Sequence, residues 1–341
     1  MTVSDSHLLL APFAFAFALA LTPAFGWLAR RTGYLDHPDP RKKHAAPTPL
    51  LGGVAIAAAV VLAYLLARAV LRLHLPGIPS GVVAGAALSL FLGLIDDRHP
   101  MRPLGKMAGQ IAAALCLVLW GPEVAWLRDS PLAMAAAVVV AVALLNAVNF
   151  LDAMDGVVGA SFPIITLGFV LLAVVHGAPV DTALGWALIG ACAGFLVYNA
   201  PPARIFLGDA GSHLLGFILA ALALQSLAQE PSLPHLASVA LLLAYPLFDV
   251  TFVVVDRTLR RRPIHVGGVD HTTHRLSRTC GVWGTVGVVA SVAMASTGLG
   301  LWVWDLSDTQ GAMAVVLLSG LAYALFGVYL RRIGPTPSFD I

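Results

Sequence analysis

Five aspartate-bearing segments interrupt an otherwise apolar chain: Asp96-Asp97, Asn149 to Gly156 with Asp152 and Asp155, Gly208 to Ser212 with Asp209, Phe248-Asp249, and Asp270 to Arg275 with His271 and His274. Each falls at the end of an apolar run. Carboxylates beside hydrocarbon are costly, so five such placements imply a shared task. Adjacent acids such as Asp96 and Asp97 suit a hard divalent cation, which takes oxygen ligands and keeps several waters. Arg98, Arg102 and Lys106 follow, placed to meet phosphate oxygens. The chemistry implied is metal-dependent and directed at a phosphate. Taken alone, the pair reads equally well as a polar loop whose acids and bases neutralise each other.

The second segment is more specific. Asn146, Asn149, Asp152 and Asp155 recur every third residue. A straight helix turns 100° per residue, so the stripe slips and its two ends splay apart. The spacing therefore predicts a helix ending near residue 150, with both aspartates in a tight turn closed by Gly156. A simple cap needs one such side chain, not four. In the third segment Pro201-Pro202 stops the incoming helix, and Ser212 is the expected N-cap of the next, whose free N–H groups suit a phosphate. Asp209, between glycines, is a second candidate metal ligand; the Gly-Lys-Ser/Thr ending of a Walker A loop is missing. His271, His274 and Arg275 read as a clamp for a pyrophosphate or a sugar. Zinc is disfavoured for want of further N or S ligands. For Arg257, Arg260, Arg261 and Arg262, anchoring at the bilayer is the better account of most members. The basic stretch Arg41 to His44 attracts either headgroups or an anionic substrate.

Composition dictates what must position these groups. Of 341 residues, 59% are hydrophobic and 11% charged, with a mean hydropathy of +0.86. A helix needs about 20 apolar residues to span a bilayer. Eleven segments qualify: 8–28, 50–71, 78–95, 104–120, 131–150, 157–176, 183–200, 212–228, 234–255, 282–304 and 311–330. The expected fold is all-α, one polytopic membrane domain over 1–341, since no polar stretch is long enough to bury its own core. Of the 20 Lys and Arg, only Arg68, Arg72 and Arg128 fall in the second set of alternate loops. The positive-inside rule then puts the N-terminus outside, the C-terminus inside and all five motifs on the cytoplasmic side. The first segment lacks a basic n-region and reads as a span, not a signal peptide. A net charge of +2 gives no reason to expect nucleic acid. Cys116, Cys192 and Cys280 are expected to be free. Gly81-xxx-Gly85 and Gly190-xxx-Gly194 favour packing within the chain over a dimer seam, and a homodimer stays open.

In this order the motifs resemble the polyprenyl-phosphate N-acetylhexosamine-1-phosphate transferases, the MraY/WecA-type family. The resemblance runs from Arg41-Lys42-Lys43-His44 and Thr48-Pro49-Leu50-Leu51-Gly52-Gly53, through Asp96-Asp97, Asn146 to Gly156 and Phe206 to Ser212, to His271-x-x-His274-Arg275-Leu276. It implies transfer of a sugar-1-phosphate from a UDP-sugar to a polyprenyl phosphate lipid such as undecaprenyl phosphate. UMP would be released, Mg²⁺ required (Mn²⁺ as the alternative), and the site would face the cytoplasm at the inner membrane, opening a cell-envelope glycan pathway. By motif position, Asp209 and Asp97 look like metal ligands, with Asp96, Asp97, Asp152, Asp155, His271 and His274 catalytic. Lys43, His44, Lys106, Asn149, Asn199, Phe206 and Arg275 fall on substrate-binding positions, Asn199 and Phe206 on those that hold uracil.

The spaced histidines and Thr-Pro-Leu-Leu-Gly-Gly are more similar to the UDP-GlcNAc-using branch than to the phospho-MurNAc-pentapeptide branch. A CDP-alcohol phosphotransferase shares Asp-x-x-Asp-Gly, but Gly156-Val157-Val158-Gly159-Ala160 breaks its continuation. A transporter would carry its charges near the midplane, whereas only Asp249 lies well within a span.

Overall fold

The structure is a computed structural model that describes residues 6–38, 46–229, 231–263, 268 and 270–334. Lys43 and His44 lie outside the described residues. Among the described residues the fold is all-α apart from one two-residue antiparallel pair, β1 (Leu35–Asp36) with β2 (Thr48–Pro49). Besides a single turn at Ala125–Arg128, the helices are α1 (Leu10–Thr32), α2 (Gly52–Ala69), α3 (Ser80–Arg98), α4 (Pro103–Trp120), α5 (Pro131–Leu151), α6 (Val157–His176), α7 (Thr182–Asn199), α8 (Gly208–Ser226), α9 (Leu233–Leu242), α10 (Ala244–Leu259), α11 (Thr272–Trp304) and α12 (Thr309–Ile333). Among the described residues, nine are long and apolar enough to cross a membrane: α1 to α7, α11 and α12. The pair α9 and α10 passes as a tenth span bent by 70°. Pro246 explains the bend, because it has no N–H and its ring crowds the carbonyl of Leu242, where α9 ends. The chain is thus a polytopic membrane protein.

The remaining helix, α8, is the centre of the bundle. It packs against α2, α3, α4, α5 and α6, and each of its residues except Asp209 is buried. Asp209, His213 and Gln225 lower its hydropathy, which a helix sheathed in protein tolerates. Close approach requires small residues at its motif-bearing end. A Cβ on Gly93 of α3 would lie 2.3 Å from the backbone of Asp209 and Ala210, and one on Gly53 would lie 2.1 Å from the Cα of Gly211. The paired small-residue spacings are likewise used internally: Gly81 and Gly85 meet α4, and Gly190 and Gly194 meet the backbone of α1.

Two expectations about element ends need correction. Ser212 is not an N-cap: α8 begins at Gly208, whose φ of +74° turns the chain a full helical turn earlier. The segment 282–304 is preceded by more helix, since α11 starts at Thr272 and breaks at Gly281 (φ 71°, ψ 177°). The histidine motif therefore rides on a short helix leading into the span. At the opposite end of the bundle the acids have a modest task, with Asp181 capping α7 and Asp308 capping α12.

A buried ion-pair network fastens the ends of α10, α11 and α12. Arg257 donates to both oxygens of Asp270, at 2.8 and 2.7 Å. Asp256 pairs with Arg275, with Arg260 at 3.0 Å and with Arg331 at 3.1 Å. The Arg275 guanidinium also reaches the carbonyl oxygens of Asp270 and Leu330 and lies over Phe252. At least Arg257 and Arg260 are therefore bound to protein carboxylates, beyond any anchoring at the bilayer.

Replacing Gly93 by Ala should destabilise the detergent-solubilised protein by about 1–3 kcal/mol through overpacking. Gly287→Ala, where nothing lies within 4 Å of the added atom, should leave stability unchanged or slightly raised. Removing the buried Arg275 charge with Arg275→Ala should cost about 3 kcal/mol by stranding part of Asp256. Thermal unfolding in detergent checks all three.

Candidate active site

The site is assembled at the N-terminus of α8. Helix N-termini leave backbone N–H groups without partners, and here α3 supplies them. Asp97 accepts from the backbone N–H of Asp209 at 2.8 Å and of Ala210 at 3.1 Å, one bond to each carboxylate oxygen. The adjacent Asp96 therefore points elsewhere, and its Oδ2 lies 2.7 Å from Nζ of Lys106 at the start of α4. The same ammonium lies 2.7 Å from Oδ2 of Asp209. The second oxygen of each acid is tied separately: Oδ1 of Asp96 accepts from the backbone N–H of Met101 at 2.6 Å, and Oδ1 of Asp209 accepts from the Asn149 amide at 2.7 Å. Asn149 also donates to the Ser212 hydroxyl at 2.9 Å. Four helices, α3, α4, α5 and α8, thus meet through Asp96, Asp97, Lys106, Asn149 and Asp209.

Below this layer lies a polar relay that motif order did not reveal. His213 donates from Nδ1 to the carbonyl of Asp209 at 2.6 Å, and its Nε2 accepts from Gln110 at 3.0 Å. Asn146 donates to Gln110 at 2.9 Å. The signal was present in the sequence. Gln110 and His213 stand four residues beyond Lys106 and Asp209, one helical turn deeper on the same faces. Polar side chains inside apolar runs demand partners.

Asp152 and Asp155 occupy the turn after α5, which ends at Leu151 as the spacing predicts, and Gly156 closes it with φ +76°. Burial, and then the negative charges of Asp209, Asp97 and Asp155, hold the Asp152 carboxyl well above its usual range. Asp155 accepts from the backbone N–H of Ala203 at 2.9 Å. Asn199 is buried and serves as a staple, accepting from the Gly156 N–H and donating to the Ile205 carbonyl, both at 3.0 Å. Phe206 is half-buried, and its backbone joins the strand Thr48–Pro49 and the start of α2: its N–H donates to Pro49 and its carbonyl accepts from Gly52. The Gly52-Gly53 stretch is thereby seated against the Asp209 loop.

The histidine motif approaches from the side. Buried Asp249 accepts from the Thr272 N–H at 3.0 Å and from the Thr272 hydroxyl, while its other oxygen faces His271 Nδ1 at 3.3 Å. A carboxylate only accepts, so Nδ1 of His271 carries the hydrogen. The His271 ring meets the edge of Phe150 at 5.5 Å, next to Asn149, and lies 5.8 Å from the ring of His274. Burial opposes a charge on Asp270, yet the twofold bond from Arg257 holds its carboxyl below the usual range. Arg275 is not brought into the cluster. It is fully buried in the ion-pair network, which identifies a strut between α10, α11 and α12.

Asp96 and Asp209 already share one cation, the Lys106 ammonium, so their Oδ2 atoms converge on a common positive charge. Among the described residues, no three acidic, histidine or cysteine side chains form a metal-holding group. Two carboxylates with open positions suit Mg²⁺, which keeps waters and takes substrate phosphates as its remaining ligands.

Known proteins share this arrangement of sequence. Residues 79–227 match the family model described as Glycosyl transferase family 4. A decaprenyl-phosphate N-acetylglucosaminephosphotransferase of Mycolicibacterium smegmatis is 31% identical over 366 aligned positions, covering 92% of this chain and 86% of the relative. The Mycobacterium tuberculosis H37Rv protein of the same name is 33% identical over 287, covering 73% and 70%. A probable undecaprenyl-phosphate N-acetylglucosaminyl 1-phosphate transferase of Bacillus subtilis is 29% identical over 273, covering 76% and 74%. At this identity and coverage, the chain belongs to glycosyl transferase family 4, the membrane-embedded polyprenyl-phosphate N-acetylhexosamine-1-phosphate transferases.

Proposed function

We propose that the chain transfers N-acetylglucosamine-1-phosphate from UDP-N-acetylglucosamine to undecaprenyl phosphate, at the cytoplasmic face of the inner membrane and with Mg²⁺. The observation that carries this reading is the meeting of Asp96, Lys106, Asn149 and Asp209 at one end of the buried helix α8, beside the Asp152 turn. That end also carries most of the basic residues, in keeping with a cytoplasmic placement. The N-acetylglucosaminyl phosphotransferases among the relatives support the sugar. A phospho-N-acetylmuramoyl-pentapeptide-transferase of Mycobacterium avium, 33% identical but covering 62% of this chain, supports the alternative donor less well.

Both substrates are anions, so the difficulty is repulsion. An acceptor phosphate oxygen attacks the sugar-bearing phosphorus in line, a new P–O–P linkage forms, and the bond to the uridylyl phosphate breaks as UMP leaves with the electron pair. The second pKa of a phosphate monoester is near ~6, so the acceptor is already largely nucleophilic at neutral pH. No strong general base is needed. Mg²⁺ held by Asp209 and by Asp96, in place of the Asp97 expected from motif position, whose two oxygens cap α8, would supply charge neutralisation and orientation. Lys106 offers a further positive charge to phosphate oxygens. Asn149 fixes the Asp209 rotamer, and Asp97 fixes the backbone that carries it. Asp249 orients His271 towards the same region. Asn199 holds the Asp152 turn and the Phe206 loop in register, and by its motif position Phe206 would stack on uracil.

Purified protein incubated with Mg²⁺, undecaprenyl phosphate and a panel of UDP-sugars should release UMP fastest from UDP-N-acetylglucosamine. Release only from UDP-MurNAc-pentapeptide would move the chain to the other branch, and release of none would remove the assignment. Asp209→Asn keeps the shape but loses a charge worth several kcal/mol in such sites, so turnover should fall about a hundredfold or more. Near-normal turnover would remove Asp209 as a metal ligand.

A further inference from the structure

The ion pair at the centre of the site has an unusual form. Lys106 touches one oxygen of Asp96 and one oxygen of Asp209, each at 2.7 Å, and in both acids the other oxygen is anchored to a different partner. Met101 N–H holds Asp96, and the Asn149 amide holds Asp209. The two carboxylates are therefore positioned without the lysine, and their Lys106-facing oxygens can change cations without moving. The lysine is the adaptable member. Its side chain retains 21% exposure, and an ammonium on a flexible stem is a point charge with no fixed fork geometry. Asp97, Asp152 and Asp155 stand close enough that Asp97 and Asp155 act electrostatically on Asp152. One ammonium thus serves a region with several acids, and a divalent ion would balance that charge better.

We propose that Lys106 is an exchangeable counter-ion: its ammonium bridges Asp96 and Asp209 until a divalent cation takes that position, and the released ammonium then faces the incoming phosphate. This rests on the metal-dependent reading above and adds to it a competition between lysine and metal. A single side chain would then protect the acid pair from mutual repulsion before metal binds and supply positive charge to substrate afterwards. Metal affinity is lowered by the fraction of time the lysine occupies the site. An ammonium present about nine-tenths of the time would weaken metal binding about tenfold.

The lysines of the chain are Lys42, Lys43 and Lys106, so a Lys42→Arg/Lys43→Arg variant leaves one lysine to observe. With ¹⁵N-lysine labelling, the Lys106 ammonium resonance should move on Mg²⁺ titration and saturate with metal occupancy, followed on the same sample by Mn²⁺ electron paramagnetic resonance. Lys106→Gln should bind Mn²⁺ about tenfold more tightly than the unsubstituted protein. Metal binding with an unmoved Lys106 resonance overturns the exchange, whether or not Lys106→Gln folds, and so does unchanged Mn²⁺ affinity in that variant. Absence of Mn²⁺ binding in the unsubstituted protein overturns the metal reading together with the exchange.

Discussion

Everything at the site depends on one helix whose residues, apart from Asp209, are buried among its neighbours. Because α8 is enclosed by neighbouring helices, the N–H groups at its start must be satisfied by protein. Asp97 of α3 does this, one carboxylate oxygen to each of two amides. That bond fixes the height and rotation of α8 against α3 and carries Asp209 to the side of Asp96. Gly93 and Gly53 remove the side chains that would keep the backbones apart. The adjacent acids thus divide their labour: Asp97 builds the frame, and Asp96 faces the cation.

From that frame the other elements take their places. α4 delivers Lys106 between the acids, α5 delivers Asn149 and the aspartate turn, and the Asn199 staple brings the end of α7 and the Phe206 loop against that turn. The histidine helix is placed less directly. Asp249 caps it, the Arg257–Asp270 and Arg275–Asp256 pairs brace it, and Phe150 gives its first histidine a surface to rest on. Buried charges of this kind add little net stability when paired and cost several kcal/mol when one partner is lost. Their contribution here is to hold the ends of α10, α11 and α12 against one another.

Much of this was legible in the residues themselves. Apolar runs located nine spans and a bent tenth because lipid admits few alternatives to helix, the eleventh run, 212–228, being the buried helix α8. The three-residue stripe of Asn and Asp correctly placed the end of α5. The failures have physical causes. Ser212 was expected to cap α8 because caps are sought nearby in sequence, whereas the cap comes from Asp97, on another helix. Arg275 was grouped with the histidines by adjacency, but a helix places neighbouring residues about 100° apart, and Arg275 faces Asp256 instead. In sequence Gln110 and His213 look like isolated polar residues, because their meaning lies in a contact between α4 and α8. Sequence shows periodicity within an element far better than the register between elements.

A single site built around α8 requires the motif-bearing turns to share one side of the membrane. In a variant without native cysteines, single cysteines at His99, Arg204 and Arg261, all exposed, can be challenged with a membrane-impermeant thiol reagent in vesicles of known orientation. All three should react from the same side, the cytoplasmic one. Reaction of any one from the opposite side would contradict a single site built around α8.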